Sequence, residues 1–171
     1  MKLGVKIVFC KTIHKMLDYQ VYKNNYYKNI QLFKQNPEYI KPFRVFEILW
    51  ALKKEIILWD DIPPNFEDTY DIPHTNDYGI DLISLNYDKA GQVKHYCSRS
   101  MISWSDICKF HSYTTGILNI KDVNLYTTNE AKIDKMAIRL MRDHIIERDD
   151  FDKMLNDIPP YVVEHKVKHN K

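Results

Sequence analysis

Apolar positions recur with a helical period from Phe43 to Lys53, where Phe46, Leu49 and Trp50 share one face and Pro42 suits the first turn. A helix is predicted there. Glu55-Ile56-Ile57-Leu58-Trp59 reads as a short buried strand, ended by Asp60-Asp61-Ile62-Pro63-Pro64 because proline cannot donate to a ladder. The polar, proline-containing stretch up to Asn76 is too long for a mere connection and points to function. Ile80 to Tyr87 and Ala90 to Cys97 predict a hairpin turning at Asp88-Lys89. Ser103-Trp104-Ser105-Asp106 resembles a capping box. The helix it opens carries Trp104, Ile107, Cys108 and His111 on one face and stops near Gly116. Val123 to Thr127 is a further strand. Thr128 or Asn129 then caps a helix with the stripe Ile133, Met136, Ala137, Leu140 and Met141, and a last short helix covers Asp150 to Leu155. Within residues 1–40, Leu3 to Phe9 is compatible with a strand, and Tyr19, Tyr22, Tyr26, Tyr27 and Phe33 fall near helical spacing. The order predicts an α/β fold, a mixed β-sheet flanked by helices.

Composition adds little: the 171 residues are 44% hydrophobic and 28% charged, ordinary for one globular domain. No internal repeat or low-complexity linker divides the chain. The apolar start, Leu3 to Phe9, is interrupted by Lys6 and ended by Lys11, unlike a secretory leader. No stretch reaches the roughly 18–20 apolar residues of a membrane span. Cys10, Cys97 and Cys108 are an odd number without framework spacing, so a reduced, intracellular protein without membrane attachment is expected.

Charge is more telling, because its net value of +2 hides an uneven distribution. Residues 1–58 hold 11 Lys/Arg against 4 Asp/Glu, whereas residues 59–91 hold 1 against 8. A basic segment therefore precedes an acidic one that contains Asp81, as suits a protein that attracts phosphates and gathers carboxylates around a cation. Compensating charged faces on an ordinary protein give the same counts. In the basic segment, Lys23 and Lys28 interleave the aromatic stripe. That stripe serves either to stack bases or as a helix packing face.

The candidate chemistry sits in the hairpin. With period 2, Gln92 and Lys94 face one way while Val93, His95 and Cys97 face the other. A lysine inside an apolar strand needs a carboxylate partner or an exposed face, and Asp81 on the partner strand can supply the partner. The plain account is a structural Asp–Lys pair. The chemical account is a carboxylate, an amide oxygen and a lysine brought to one point beside a sheet, where a divalent cation and a water can meet a phosphodiester.

Asn76-Asp77-Tyr78-Gly79-Ile80-Asp81-Leu82-Ile83 resembles the "D-x-G-I-D-L-I" turn and strand of restriction-endonuclease-like nuclease modules of the Mrr type, members of the PD-(D/E)xK superfamily. Gly91-Gln92-Val93-Lys94-His95-Tyr96 resembles their "Q-x-K-x-Y" strand, Trp59 to Pro63 their "W-x-x-x-P" element, Ser103 to Phe110 the following helix, and Phe46-Glu47 the first-helix "F-E" pair. The resemblance covers about residues 43–130. It implies a nuclease-like domain over 43–171, preceded by a basic, aromatic-rich segment, 1–42, packed on the core. It also implies a Mg²⁺-dependent endodeoxyribonuclease, with Mn²⁺ as the alternative ion. Asp81, Gln92, the Val93 carbonyl and Glu47 would serve the metal, and Lys94 would stand near the attacking water. The amide of Gln92 departs from the commoner Asp or Glu and removes one formal charge.

DNA is the implied partner, with Lys23, Lys28, Lys34 and Arg44 as its expected contacts. A homodimer, or a helicase domain in the same or a partner chain, is compatible with the resemblance. Such modules occur in bacteria, phages and large DNA viruses, so cytoplasm, host-cell cytoplasm or virion are the expected locations. The alternative reading is a non-catalytic nucleic-acid-binding module of a larger helicase-like protein. A structural or interaction domain is the third. A rival metal reading joins His95 and Cys97 to Cys108 and His111 as a zinc site, although the spacing matches no known finger.

Overall fold

In the computed structural model, the backbone is described for residues 3–160 and the side chains for residues 19–160. Five strands form a mixed sheet in the order β1-β2-β3-β5-β7. They are β1 (Ile57–Leu58), β2 (Leu82–Ile83), β3 (Lys89–Lys94), β5 (Asp122–Thr128) and β7 (Ile145–Asp149). Strand β2 runs antiparallel to both β1 and β3, whereas β5 lies parallel to both β3 and β7. A small parallel pair, β4 (Met101–Ile102) with β6 (Lys132–Ile133), lies outside this sheet.

Helices cover both faces, which the parallel strands require. On one face, α1 (Leu3–Gln35), α2 (Pro42–Lys54) and α6 (Phe151–Asp157) share a core with Leu58, Leu82, Val93 and Tyr126. On the other, α3 (Phe66–Tyr70), α4 (Trp104–Ser112) and α5 (Lys135–Leu140) pack with Ile57, Ile83, Ala90, Val123 and Leu125.

The strand expected at Leu3 to Phe9 is helical. No proline and a single early glycine interrupt the chain from Leu3 to Gln35, and β-branched residues follow their context more than their propensity. The aromatic stripe of α1 is a packing face: Tyr26, Ile30 and Phe33 are buried at i, i+4 and i+7. The Tyr26 hydroxyl donates to Asp61 Oδ2 at 2.8 Å and accepts from the Leu58 N–H at 2.8 Å, fastening α1 to the end of β1.

The α2 helix starts on Pro42 as expected and buries Phe46, Leu49 and Trp50 together with Val45 and Ile48. Trp50 stacks on Tyr126 of β5, ring centroids 4.6 Å apart. Gly91 makes that stack fit beside β3, since a Cβ there would lie 2.5 Å from Tyr126 Cε2. Gly91→Ala is therefore expected to destabilise the fold by about 1–3 kcal/mol, the usual cost of overpacking. An unchanged urea midpoint would show that the Tyr126 ring yields freely.

Several expectations are corrected. The hairpin turns over Ser84 to Asp88, earlier than Asp88-Lys89, because the Ser84 hydroxyl accepts the N–H groups of Asp88 (3.1 Å) and Lys89 (3.0 Å). A side chain bonding the backbone in this way competes with the ladder. On α4 the capping box of Ser103 and Asp106 forms, but Ile107 and Phe110 take the buried side and Trp104 is 45% exposed. That helix runs on through a wide π-turn, Tyr113–Ile117, which absorbs Gly116. Asp134, not Thr128 or Asn129, caps α5, since its side chain accepts the Ala137 N–H. The stripe behind it splits: Ile133 belongs to β6, Ala137 and Met141 are buried, and Met136 is 53% exposed.

Candidate active site

Asp81 immediately precedes β2 and is held on both sides by backbone bonds. Its N–H donates to the Gly91 carbonyl at 3.0 Å, and its carbonyl accepts the Trp59 N–H at 2.8 Å. The turn leading to it is built by Asp77, whose Oδ1 accepts the Gly79 N–H at 2.9 Å. Gly79 has φ +75, a conformation that favours glycine. Any side chain there would also press on Gln92 Nε2 and Phe110 Cβ, 3.1 and 3.3 Å from a Cβ.

The pairing of β2 with β3 ends at Leu82↔Gly91, and the Asp81 N–H meets the Gly91 carbonyl of that pair, just before Gln92. Alternation along β3 puts Gln92 and Lys94 on the face that also carries Ala90. Val93 points to the other face and packs with α2, while its N–H donates to Asp81 Oδ2 at 2.7 Å. Its position in β3 pairs with Tyr126 of β5.

Gln92 is only 3% exposed, and its Oε1 is a buried acceptor with no hydrogen-bond partner. Such an orphan is rare, because leaving a buried acceptor unpaired is costly. Burial, and then the charge of Glu47, push the Asp81 carboxyl up to about 7; the Val93 N–H and the Lys94 ammonium work against that rise, and Asp77 adds to it. Glu47 is raised by burial too, with Arg44 and Lys94 opposing. The charges of Asp81, Glu47, Asp77 and Lys94 thus act on one another at one end of the sheet.

Glu47 reaches the site from α2. It is gripped by Arg44 at 2.7 Å, and Arg44 also binds Asp60 at 2.8 Å. Arg44 is thereby part of the acidic cluster rather than a free phosphate contact. Lys34 donates to the Ile158 carbonyl at 3.1 Å, Lys28 is exposed on α1 and Lys23 is half-buried. The four basic residues singled out in the sequence therefore do not form one patch of equal availability.

A cleft of about 870 Å³ opens in front of Asp81 and Glu47. Its walls include Asp60, His74 and Asp77, which the sequence marks only as parts of the long polar stretch and the turn before Asp81. Tyr39, Lys41 and Phe43 line it as well.

The donor set fits a small hard cation. It offers the Asp81 carboxylate and the unpartnered Gln92 oxygen, with Glu47 close enough to raise the Asp81 pKa, and Mg²⁺ needs only one or two carboxylates besides its waters. Among the described residues no three His, Cys, Asp or Glu side chains stand together so as to hold a metal ion by themselves. The rival zinc set is dispersed. His95 packs between Phe46 and Phe151, with centroids 5.1 and 4.9 Å away, Cys97 is exposed, and His111 pairs with His144, Nε2 to Nε2 3.2 Å.

No known protein family, curated protein or solved structure matches the chain. No helix among the described residues is long and apolar enough to cross a membrane.

Proposed function

We propose that this chain is a metal-dependent DNA endonuclease of restriction-endonuclease-like fold that hydrolyses phosphodiester bonds with Mg²⁺, or Mn²⁺ in its place. One observation carries the reading: the raised Asp81 carboxyl, within electrostatic reach of Glu47 and Lys94, is bonded to the Val93 N–H, next in β3 to Gln92 with its buried, unpartnered oxygen. Three antiparallel strands followed by a helix and a fourth, parallel strand support it.

Asp81 and Gln92, with Glu47 and the Val93 carbonyl, would hold the ion. Bound there, Mg²⁺ would polarise a phosphoryl oxygen and acidify a coordinated water. The residues of the chain supply the rest. The Val93 N–H fixes one oxygen of Asp81, and the carboxylate so held would serve the cation. Lys94 lies within electrostatic reach of Asp81 and would oppose the negative charge that builds up on the phosphorus oxygens in the transition state. Arg44 favours the ionised form of Glu47 against its burial.

Cleavage of plasmid DNA and of circular single-stranded DNA by the purified chain, with Mg²⁺ and with EDTA, is the test. Metal-dependent nicking is expected, and Lys94→Met should reduce it about 10²–10³-fold, the effect of removing one preorganised stabiliser of transition-state charge. No nicking with either ion, together with salt-dependent DNA binding, would favour the non-catalytic module of a larger helicase-like protein. The hold of Arg44 on Glu47 and the missing charge at Gln92 are the observations on that side.

A further inference from the structure

The cleft in front of Asp81 has an aromatic rim. Tyr39 is 64% exposed and Phe43 56% exposed, and both line the cleft beside Lys41. Large rings so open to water are at odds with the core-facing use of the other aromatics in this region, such as Tyr26, Phe46 and Trp59. Their backbone is well fixed. Asn36 accepts the Tyr39 N–H through its carbonyl at 3.0 Å and the Glu38 N–H through its side chain at 3.2 Å. Phe43 sits in the first turn of α2, where the Lys41 carbonyl accepts the N–H of Arg44 at 3.0 Å and of Val45 at 3.1 Å. The backbone that carries the rings is therefore ordered before binding, which lowers the ordering cost.

From this rim and from the size of the cleft we infer that the site takes unpaired, single-stranded DNA, with bases stacking on Phe43 and Tyr39 while the backbone passes Lys41 toward Asp81. The inference rests on the nuclease reading of the same site and adds its substrate class. A cleft of about 870 Å³ is in the range that encloses a small ligand. It has room for a few nucleotides of one strand, whereas the bases of a paired duplex are stacked on one another and offer no free face to the rings. Every base has a π-face, so stacking on Tyr and Phe is tolerant of sequence. The acids lining the cleft, Asp60, Asp77, Glu47 and Asp81, repel phosphate, so the strand needs the rim to hold it there.

Fluorescence anisotropy tests this with one labelled oligonucleotide, offered single-stranded, as a blunt duplex and as the matching RNA. Ca²⁺ replaces Mg²⁺ so that binding is read apart from cleavage. The wild-type chain is expected to bind the single strand more tightly than the duplex or the RNA. Phe43→Ala and Tyr39→Ala should each weaken single-strand binding about 5- to 150-fold, the range for one lost base stack, and leave duplex binding unchanged. Phe43→Leu keeps apolar bulk without the ring and should lose nearly as much as Phe43→Ala. Equal affinity for the duplex, tighter binding of RNA, or wild-type affinity in both alanine variants would overturn the inference. Single-strand binding that obeys these rules in a protein that never cleaves with Mg²⁺ would instead sink the nuclease reading and leave the binding site standing.

Discussion

Asp81→Asn is expected to abolish metal-dependent cleavage and yet raise the melting temperature at pH 8. An Asp in the unfolded chain titrates near 3.9, whereas the folded Asp81 titrates at about 7. Between those values the folded protein holds a proton that the unfolded chain has lost. Stability therefore falls as pH rises through that window, and the contribution present below about 4 is gone above about 7. At pH 8 the metal-free protein carries an ionised, buried carboxylate beside Glu47 and Asp77, at a cost on the order of a few kcal/mol. Asparagine keeps the size and an oxygen for the Val93 N–H and has no charge to bury. The stability gain should shrink toward zero at pH 4, and Mg²⁺ should raise the melting temperature of the wild-type chain far more than that of the variant. Melting curves at pH 4, 6 and 8, with EDTA and with Mg²⁺, check all of this. A variant that melts below the wild type at pH 8 would mean that Asp81 is a structural ion-pair partner, as the plain account of an Asp–Lys pair holds.

The parts of the fold legible in the sequence are those set by neighbours in the chain. The α2 stripe of Phe46, Leu49 and Trp50, the Ser103–Asp106 capping box and the apolar run of β5 all depend on contacts within a few residues or on plain burial. The alternation argument also placed Gln92 and Lys94 together, because period 2 survives any error in where the hairpin turns. What could not be read depends on distant partners. The strand β7 runs Ile145-Ile146-Glu147-Arg148-Asp149, and it is a strand because β5 offers a parallel edge and Lys54 and Lys53 neutralise Glu147 (2.5 Å) and Asp149 (2.6 Å). Arg44 reads as one more cation of the basic segment until α2 and the turn after β1 bring Glu47 and Asp60 to it. The cleft wall likewise joins Tyr39 and His74, which no local pattern connects.

Gln92→Glu is expected to tighten Mg²⁺ binding on the order of tenfold while lowering the stability of the metal-free protein at pH 8. The unpartnered Gln92 oxygen belongs to the residue before Val93, whose N–H holds Asp81, and a carboxylate in its place would add a second hard, charged donor to the site. Without a cation, two carboxylates at that depth repel, and each pushes the other's pKa upward, so one of them stays protonated well above the usual range. The loss should be largest where both would ionise, above pH 7, and Mg²⁺ should reverse it by occupying the point between them. The wild-type chain needs less cation to fold and more to fill the site, since the amide removes the repulsion together with the charge. Calorimetric titration with Mg²⁺ at pH 8, set beside melting curves in EDTA, separates the possibilities. Lower metal-free stability with unchanged Mg²⁺ affinity would make Gln92 a packing residue under Gly79, and the cation would then have to be held without it.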